Sequence, residues 1–218
     1  MPDSTGLPAN LPTITVTGFG RVSVRPDTAD LRLGVSLMES TVEAARAAAA
    51  RTLAEVLARL RALGIEDRDL QTSIVAVNPQ YDYSRDGQPP RLAGYSITNL
   101  VAVVIRNIDQ VGEAIDAALT AGATSVDRLS FRVADPSAAE AEARAAAIAD
   151  ARVRAEAYAK AAGVSIAGVA AILEAGAPIP FPMPFQEMKL AAARDAATPV
   201  EAGENEIRAT VTVAFRIE

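Results

Sequence analysis

From Ile14 to Leu37 the chain reads ITVTGFGRVSVRPDTADLRLGVSL, with β-branched and aliphatic residues alternating with polar ones on both sides of Gly18 and Gly20. Alternation at period two is the pattern of strands that bury one face. The two glycines predict a hairpin or a bulged strand pair, and Pro26 with Asp27 a turn into a third strand. The period then changes. Leu53, Val56, Leu57, Leu60 and Leu63 recur at helical spacing behind Ser40 or Thr41, either of which can cap a first turn that holds Glu43, and Gly64 is the expected stop.

Strands are next expected over Leu70 to Val77 and Tyr95 to Arg106, separated by NPQYDYSRDGQPPR, a stretch of turn formers that reads as an exposed excursion. Ile108 to Ala121 predicts a helix with Val111, Ile115, Ala118 and Leu119 inward and Gly122 at its end, and Val126 to Val133 alternates again as a strand. Asp135 and Pro136 then open a helix from Ser137 to Ala162. In it Ile148, Ala151, Ala155, Tyr158, Ala159 and Ala162 follow at spacings of three and four, a face of mostly small residues that suits close approach to a sheet. Val164 to Glu174 and Glu206 to Arg216 complete the strands.

The order β-β-β-α-β-β-α-β-α-β-β, with strands adjacent in sequence, predicts an α+β fold: largely antiparallel sheets packed against long Ala-rich helices in a two-lobed single unit. Residues 1–13 are expected as a flexible tail and 14–218 as the domain, with a long loop rich in Pro, Phe and Met at about 176–204.

Composition narrows the chemistry. Half of the 218 residues are hydrophobic but only 4% aromatic, so the core is made of Ala, Val, Leu and Ile, and a chain of this length needs no disulfide or metal to close it. Histidine, cysteine and tryptophan are absent. Cysteine nucleophiles, His/Cys zinc sites and the usual serine–histidine pair are thereby excluded, and a serine–lysine pair would have to recruit Lys160 or Lys189, the only two lysines. A net charge of −6 with scattered arginines offers no basic patch for nucleic acid. The apolar runs Leu100 to Ile105 and Ile166 to Leu173 are far shorter than the roughly 20 residues of a membrane-spanning helix.

Gly18-Phe19-Gly20 could suggest a phosphate loop, but such a loop opens a helix and here more strand follows. Asp27 with Asp30, and Glu66 with Asp67 and Asp69, could be imagined as acid/base pairs or a cation site; turn and cap roles are the expectation, since the regular calcium-loop spacing is missing. The stretch PIPFPMPFQEM is the most unusual. Alternating prolines hold it extended while Ile179, Phe181, Met183, Phe185 and Met188 concentrate apolar surface. It is read either as packing on its own domain or as a subunit or partner contact, and Tyr81 and Tyr83 in the earlier excursion are a weaker version of the same signal.

Three segments together resemble the SIMPL-domain family of bacterial envelope proteins: ITVTGFGRVSVRPDTADLRLGV, GYSITNLVAVVIRNIDQVGEAIDAALTAGATSVDRLSF and AEARAAAIADARVRAEAYAKAAGV, in family order. The resemblance implies a periplasmic or secreted protein, akin to immunogenic antigens, associated with stress tolerance and forming homo-oligomers. It supplies no catalytic residue and no cofactor. The start, MPDSTGLPANLP, has neither the charged nor the apolar part of a leader, so we expect one to have been removed; a natural start at Met1 would instead place the chain in the cytoplasm.

The expected function is therefore that of a non-enzymatic, self-assembling envelope protein without cofactor, with contact to another envelope protein or a membrane surface as a further role. A periplasmic small-ligand or peptide-binding protein and a carboxylate-based hydrolase are the alternatives.

Overall fold

In a computed structural model of the protein, residues 12–83, 89–174, 176, 179–182 and 198–218 are described, those of 179–182 by their backbone. The elements run β1 (Thr13–Val24), β2 (Thr28–Glu39), α1 (Val42–Ala62), β3 (Leu70–Asp82), β4 (Arg91–Ile105), α2 (Val111–Thr120), β5 (Ser125–Arg132), α3 (Ser137–Ala162), β6 (Ile166–Glu174), β7 (Ile179–Pro182) and β8 (Asn205–Ile217). Short 3₁₀ turns at Asp67–Asp69 and Ile108–Gln110 precede β3 and α2. All strand pairs are antiparallel, as an α+β chain with strands adjacent in sequence requires.

The chain forms two compact units. In the first, β8 is central: β1 pairs along its whole length from Thr13↔Arg216 to Val24↔Asn205, and β6 and β7 follow one another along its other side. Helix α3 lies across β1 and β8. Ile207, Ala209, Val211, Val213 and Phe215 of β8 face it, and the helix answers with Ala143, Ala147, Ala151, Ala155 and Ala159. The second unit orders its sheet β3-β4-β2-β5, with α1 and α2 covering one face. Its core joins Leu31 and Leu33 of β2, Val101, Val103 and Ile105 of β4, Val56 and Leu60 of α1, and Val111 and Ile115 of α2. Full burial of a leucine such as Leu33 contributes about 2 kcal/mol.

Helix boundaries follow local signals. The Thr41 hydroxyl accepts the N–H of Ala44 at 3.2 Å, the cap expected ahead of α1, and Gly64 just beyond its end takes φ +86°. At α3 the Asp135 carboxylate accepts the N–H of Ser137 at 3.0 Å, and Gly163 closes the helix at φ +72°. The hydrogen bonds from the Ser137 side chain and backbone hold the Asp135 carboxyl below its ordinary range.

Several expectations are corrected. Gly18 and Gly20 make neither hairpin nor bulge; both lie within the single strand β1, facing α3. A β-carbon on Gly18 would stand 2.6 Å from Ala151 N, and one on Gly20 2.6 Å from Ala147 N, so the glycines are there to admit the helix backbone. The inward face of α3 is a strict four-residue row of alanines. Ile148, Tyr158 and Ala162, expected inward, point to solvent. In α2 Leu119 is likewise 45% exposed, and Ala114 takes the inward place. The excursion after Val77 is shorter than expected, because β3 continues to Asp82 and β4 begins at Arg91, with Tyr81 paired to Leu92. Within the segment expected as a loop, residues 179–182 form an edge strand instead; prolines at every second position are tolerated there because alternate residues can stay off the ladder.

Candidate functional site

The carboxylates singled out by the sequence do not converge. Asp27 accepts the Thr28 hydroxyl at 2.9 Å and the Ala134 N–H at 2.8 Å, fixing the turn into β2, while Asp30 pairs with Arg132 at 2.8 Å across the β2–β5 ladder. Glu66 pairs with Arg68 at 3.0 Å and Asp67 with Arg61 at 2.7 Å. Asp69 is the buried one, held by two parallel bonds from Arg106, Nε at 2.9 Å and Nη2 at 2.7 Å. That bidentate grip holds its carboxyl below the ordinary carboxylate range and raises the Arg106 guanidinium in turn. Each carboxylate therefore has its own partner, whereas acid/base chemistry needs two that share a cleft with separated pKa values.

Lys160 is exposed in the last turn of α3, and Lys189 lies outside the described residues. Among the described residues no three acidic side chains gather as a metal site. The hollows are shallow and open. One of about 260 Å³ lies on the helix-free face of the second sheet against Asp30, Arg32, Arg128 and Ser130, but Asp30 and Arg32 are spent on Arg132 and Asp127. Another, against Phe19, Arg21, Arg208 and Thr210, has Arg208 paired to Glu206 and Arg154 stacked over the Phe19 ring at 5.2 Å.

The features that stand out are two sheet edges. Among the described residues, strands β3 and β6 each pair on one side only. Neither carries a charge before its last residue, Asp82 or Glu174. Both are apolar on both faces and exposed: Val75 is 65% and Leu173 68% accessible, and Ile74, Val77, Val169 and Ile172 are exposed beside them. On the helix side, Val77 continues the row of buried Ile97, while Val169 and Ile172 continue the rows of buried Phe215 and Val213. Each core thus runs out to an edge that its helices leave uncovered. The long edges β5 and β1 are built differently, and the short β7 edge has proline at alternate positions. β5 carries Asp127, Arg128 and Arg132, and β1 carries Arg21 and gives its Phe19 N–H to Asp150 of α3 at 2.9 Å. That bond and the Arg154 guanidinium hold the Asp150 carboxyl below its usual range.

Of the residues expected at a contact surface, Tyr81 and Tyr83 are exposed at the far end of β3, where β3 and β4 run beyond β2 as a two-stranded ribbon. Ile179 and Phe181 belong to β7, their backbones opposite Arg208 and Glu206 of β8. Met183, Phe185 and Met188 lie outside the described residues. The sequence reading passed over the β3 and β6 edges, although SIVAV and VAAIL are apolar at successive positions with no charge to guard them.

Comparison with known proteins gives a family. Residues 14–215 match the model of SIMPL, described as a protein of unknown function (DUF541). The 26 kDa periplasmic immunogenic protein of Brucella melitensis is 38% identical over 213 residues, which cover 94% of this chain and 84% of that protein. The uncharacterized protein YggE of Escherichia coli K12 is 30% identical over 127 residues, 58% of this chain and 51% of its own length. YggE of Edwardsiella ictaluri is 26% identical over 125 residues, 57% and 52% of the two chains.

Proposed function

The chain belongs to the SIMPL family, and from that membership we propose that it is a non-enzymatic, self-assembling protein of the bacterial envelope, periplasmic or secreted, with a structural or interaction role. The observation that carries this reading is the pair of uncharged, apolar strand edges, β3 and β6, among described edges of which β1 and β5 bear charges and the short β7 alternates prolines. An open edge presents a row of unpaired N–H and C=O groups, and natural proteins protect such rows with charge, proline or a covering element unless another chain completes them. The periplasmic setting is supported by the name of the Brucella relative. The non-enzymatic reading is supported by the five candidate carboxylates, each engaged with a separate partner. A part in stress tolerance rests on the family resemblance alone and is tested by the survival of a deletion strain under oxidative and thermal stress.

Light scattering on the eluted peak of a sizing column tests the assembly. The expected mass is a multiple of the 22.7 kDa chain that persists at micromolar concentration. A single 22.7 kDa species at every concentration overturns the reading.

A further inference from the structure

We propose that the first unit holds a binding site for a phosphate group, built from Arg21 of β1 and from Arg208 and Thr210 of β8 on the sheet face that α3 leaves bare. This goes beyond the assembly proposed above and is independent of it, because every group involved belongs to one compact unit of one chain. The register makes the site. Gly18, Gly20, Ala209 and Val211 face α3, so Phe19, Arg21, Arg208 and Thr210, which alternate with them, stand on the opposite face. Arg21 lies directly opposite Arg208, and Phe19 opposite Thr210. Cross-strand neighbours have β-carbons about 5 Å apart, and like charges so placed destabilise a ladder. The chain answers one of the two charges: the buried Glu206 carboxylate accepts Arg208 Nε and fixes that guanidinium. Arg21 is exposed and meets no carboxylate among the described residues. An uncompensated positive charge therefore stands at a hollow of about 250 Å³ lined by Phe19, Arg21, Arg208 and Thr210. Arg154 of α3 stacks over the Phe19 ring at 5.2 Å and holds that wall in place.

Two guanidinium groups from opposite strands and one hydroxyl offer donors to three separate oxygens. A carboxylate has only two, whereas a phosphate monoester has three and carries a charge of about −1.5 to −2 at neutral pH. The second unit repeats the arrangement. On its helix-free face Arg32 of β2 stands opposite Arg128 of β5, and Arg32 is bridged to Asp127 at 3.2 Å while Arg128 meets no carboxylate among the described residues. Ser130 supplies a hydroxyl at the adjoining hollow of about 260 Å³, but the Asp30 carboxylate lines it as well and opposes an anion, so the first unit's site is the stronger. A chain of net charge −6 thus twice sets arginine against arginine, a repulsion that a bound anion relieves.

The probe is inorganic phosphate, titrated at constant ionic strength into the full chain and followed by NMR through the arginine Nε–H signals. The Arg21 signal is expected to shift saturably, with sulfate competing and acetate not. Arg21→Gln, at an exposed position, is expected to keep the melting temperature and to lower phosphate affinity by about tenfold or more. Arg21→Lys, which keeps the charge but not the fork, should also lose affinity. Thr210→Val, with a smaller loss, is the second variant should Arg21→Gln disturb the fold, and Arg128→Gln should leave the Arg21 shift unchanged. A wild-type Arg21 signal that never saturates, an Arg21→Gln affinity equal to wild type, or full retention by Arg21→Lys overturns the site. Acetate binding as tightly as phosphate overturns its assignment to phosphate. Vesicles of phosphatidylcholine with phosphatidic acid separate the sources of the group. Sedimentation with them that Arg21→Gln abolishes places the phosphate on a lipid headgroup, and saturable phosphate binding without sedimentation places it on a soluble ester.

Discussion

Gly18 of β1 lies so close to the carbonyl of Ala147 in α3 that a β-carbon at position 18 would overlap it, although 129 residues separate the two in sequence. The same holds one turn earlier on the helix for Gly20 and Ala143. Helix α3 and strand β1 therefore touch backbone to backbone at these two glycines, and the helix side chains that face the sheet are the alanines of one row.

Gly18→Ala and Gly20→Ala are expected to destabilise the protein by about 2 kcal/mol each, because the helix must retreat from a packed face; that outweighs the fraction of a kcal/mol that alanine gains over glycine in a strand. Gly64→Ala, with open space around it and only a left-handed φ to oppose it, should cost about 1 kcal/mol. Urea unfolding midpoints at constant slope check the order.

The row facing the sheet should tolerate enlargement far less than the opposite face. Ala151→Leu is expected to cost roughly 3 kcal/mol by overpacking, whereas Val153→Ala, at a 66% exposed position of the same helix, should stay within about 0.5 kcal/mol. Thermal melts of the two variants against wild type decide it.

Asp69 gives a pH signature. Its carboxyl is lowered in the folded protein by the hydrogen bonds from Arg106, so the pair stabilises the fold above the unfolded value of about 4 and that contribution fades as pH falls through the lower, folded value. Asp69→Asn should therefore be less stable than wild type at neutral pH, and the gap should narrow in acid. Arg106→Lys, which keeps charge but not the two-pronged geometry, should lie between them at pH 7. Denaturation series at pH 7, 5 and 3 measure the gap.

Thr198 is clipped to α2, its N–H to Asp116 at 2.9 Å and its hydroxyl to the same carboxylate at 2.5 Å, and Val200 beside it packs on the core of the second unit. The Thr198 hydroxyl and N–H hold the Asp116 carboxyl below its usual range. In Asp116→Ala the amide proton of Thr198 should exchange with solvent markedly faster than in wild type, while amides of the β2–β4 ladder keep their rates. Hydrogen exchange followed by NMR separates the two.

What the sequence determined by itself was local. The bounds of α3 are legible from Asp135, Pro136 and Gly163, and the cap of α1 from Thr41, because those signals act through hydrogen bonds and backbone angles within a turn of the residue that carries them. Alternation placed β1, β2 and β8, and the antiparallel α+β class followed from strands adjacent in sequence. The face of α3 was not legible. Alanine at nearly every position gives no contrast between sides, so the inward row was selected by the groove that Gly18 and Gly20 open in a strand far away along the chain. For the same reason the glycines read as a turn: a close approach is a relation between two distant segments, and neither segment alone records it. The edges β3 and β6 are the other case. Apolar residues at successive positions suit a strand buried on both faces, and only the pairing order, which puts β4 and β8 inside and β3 and β6 outside, turned those residues into exposed surface.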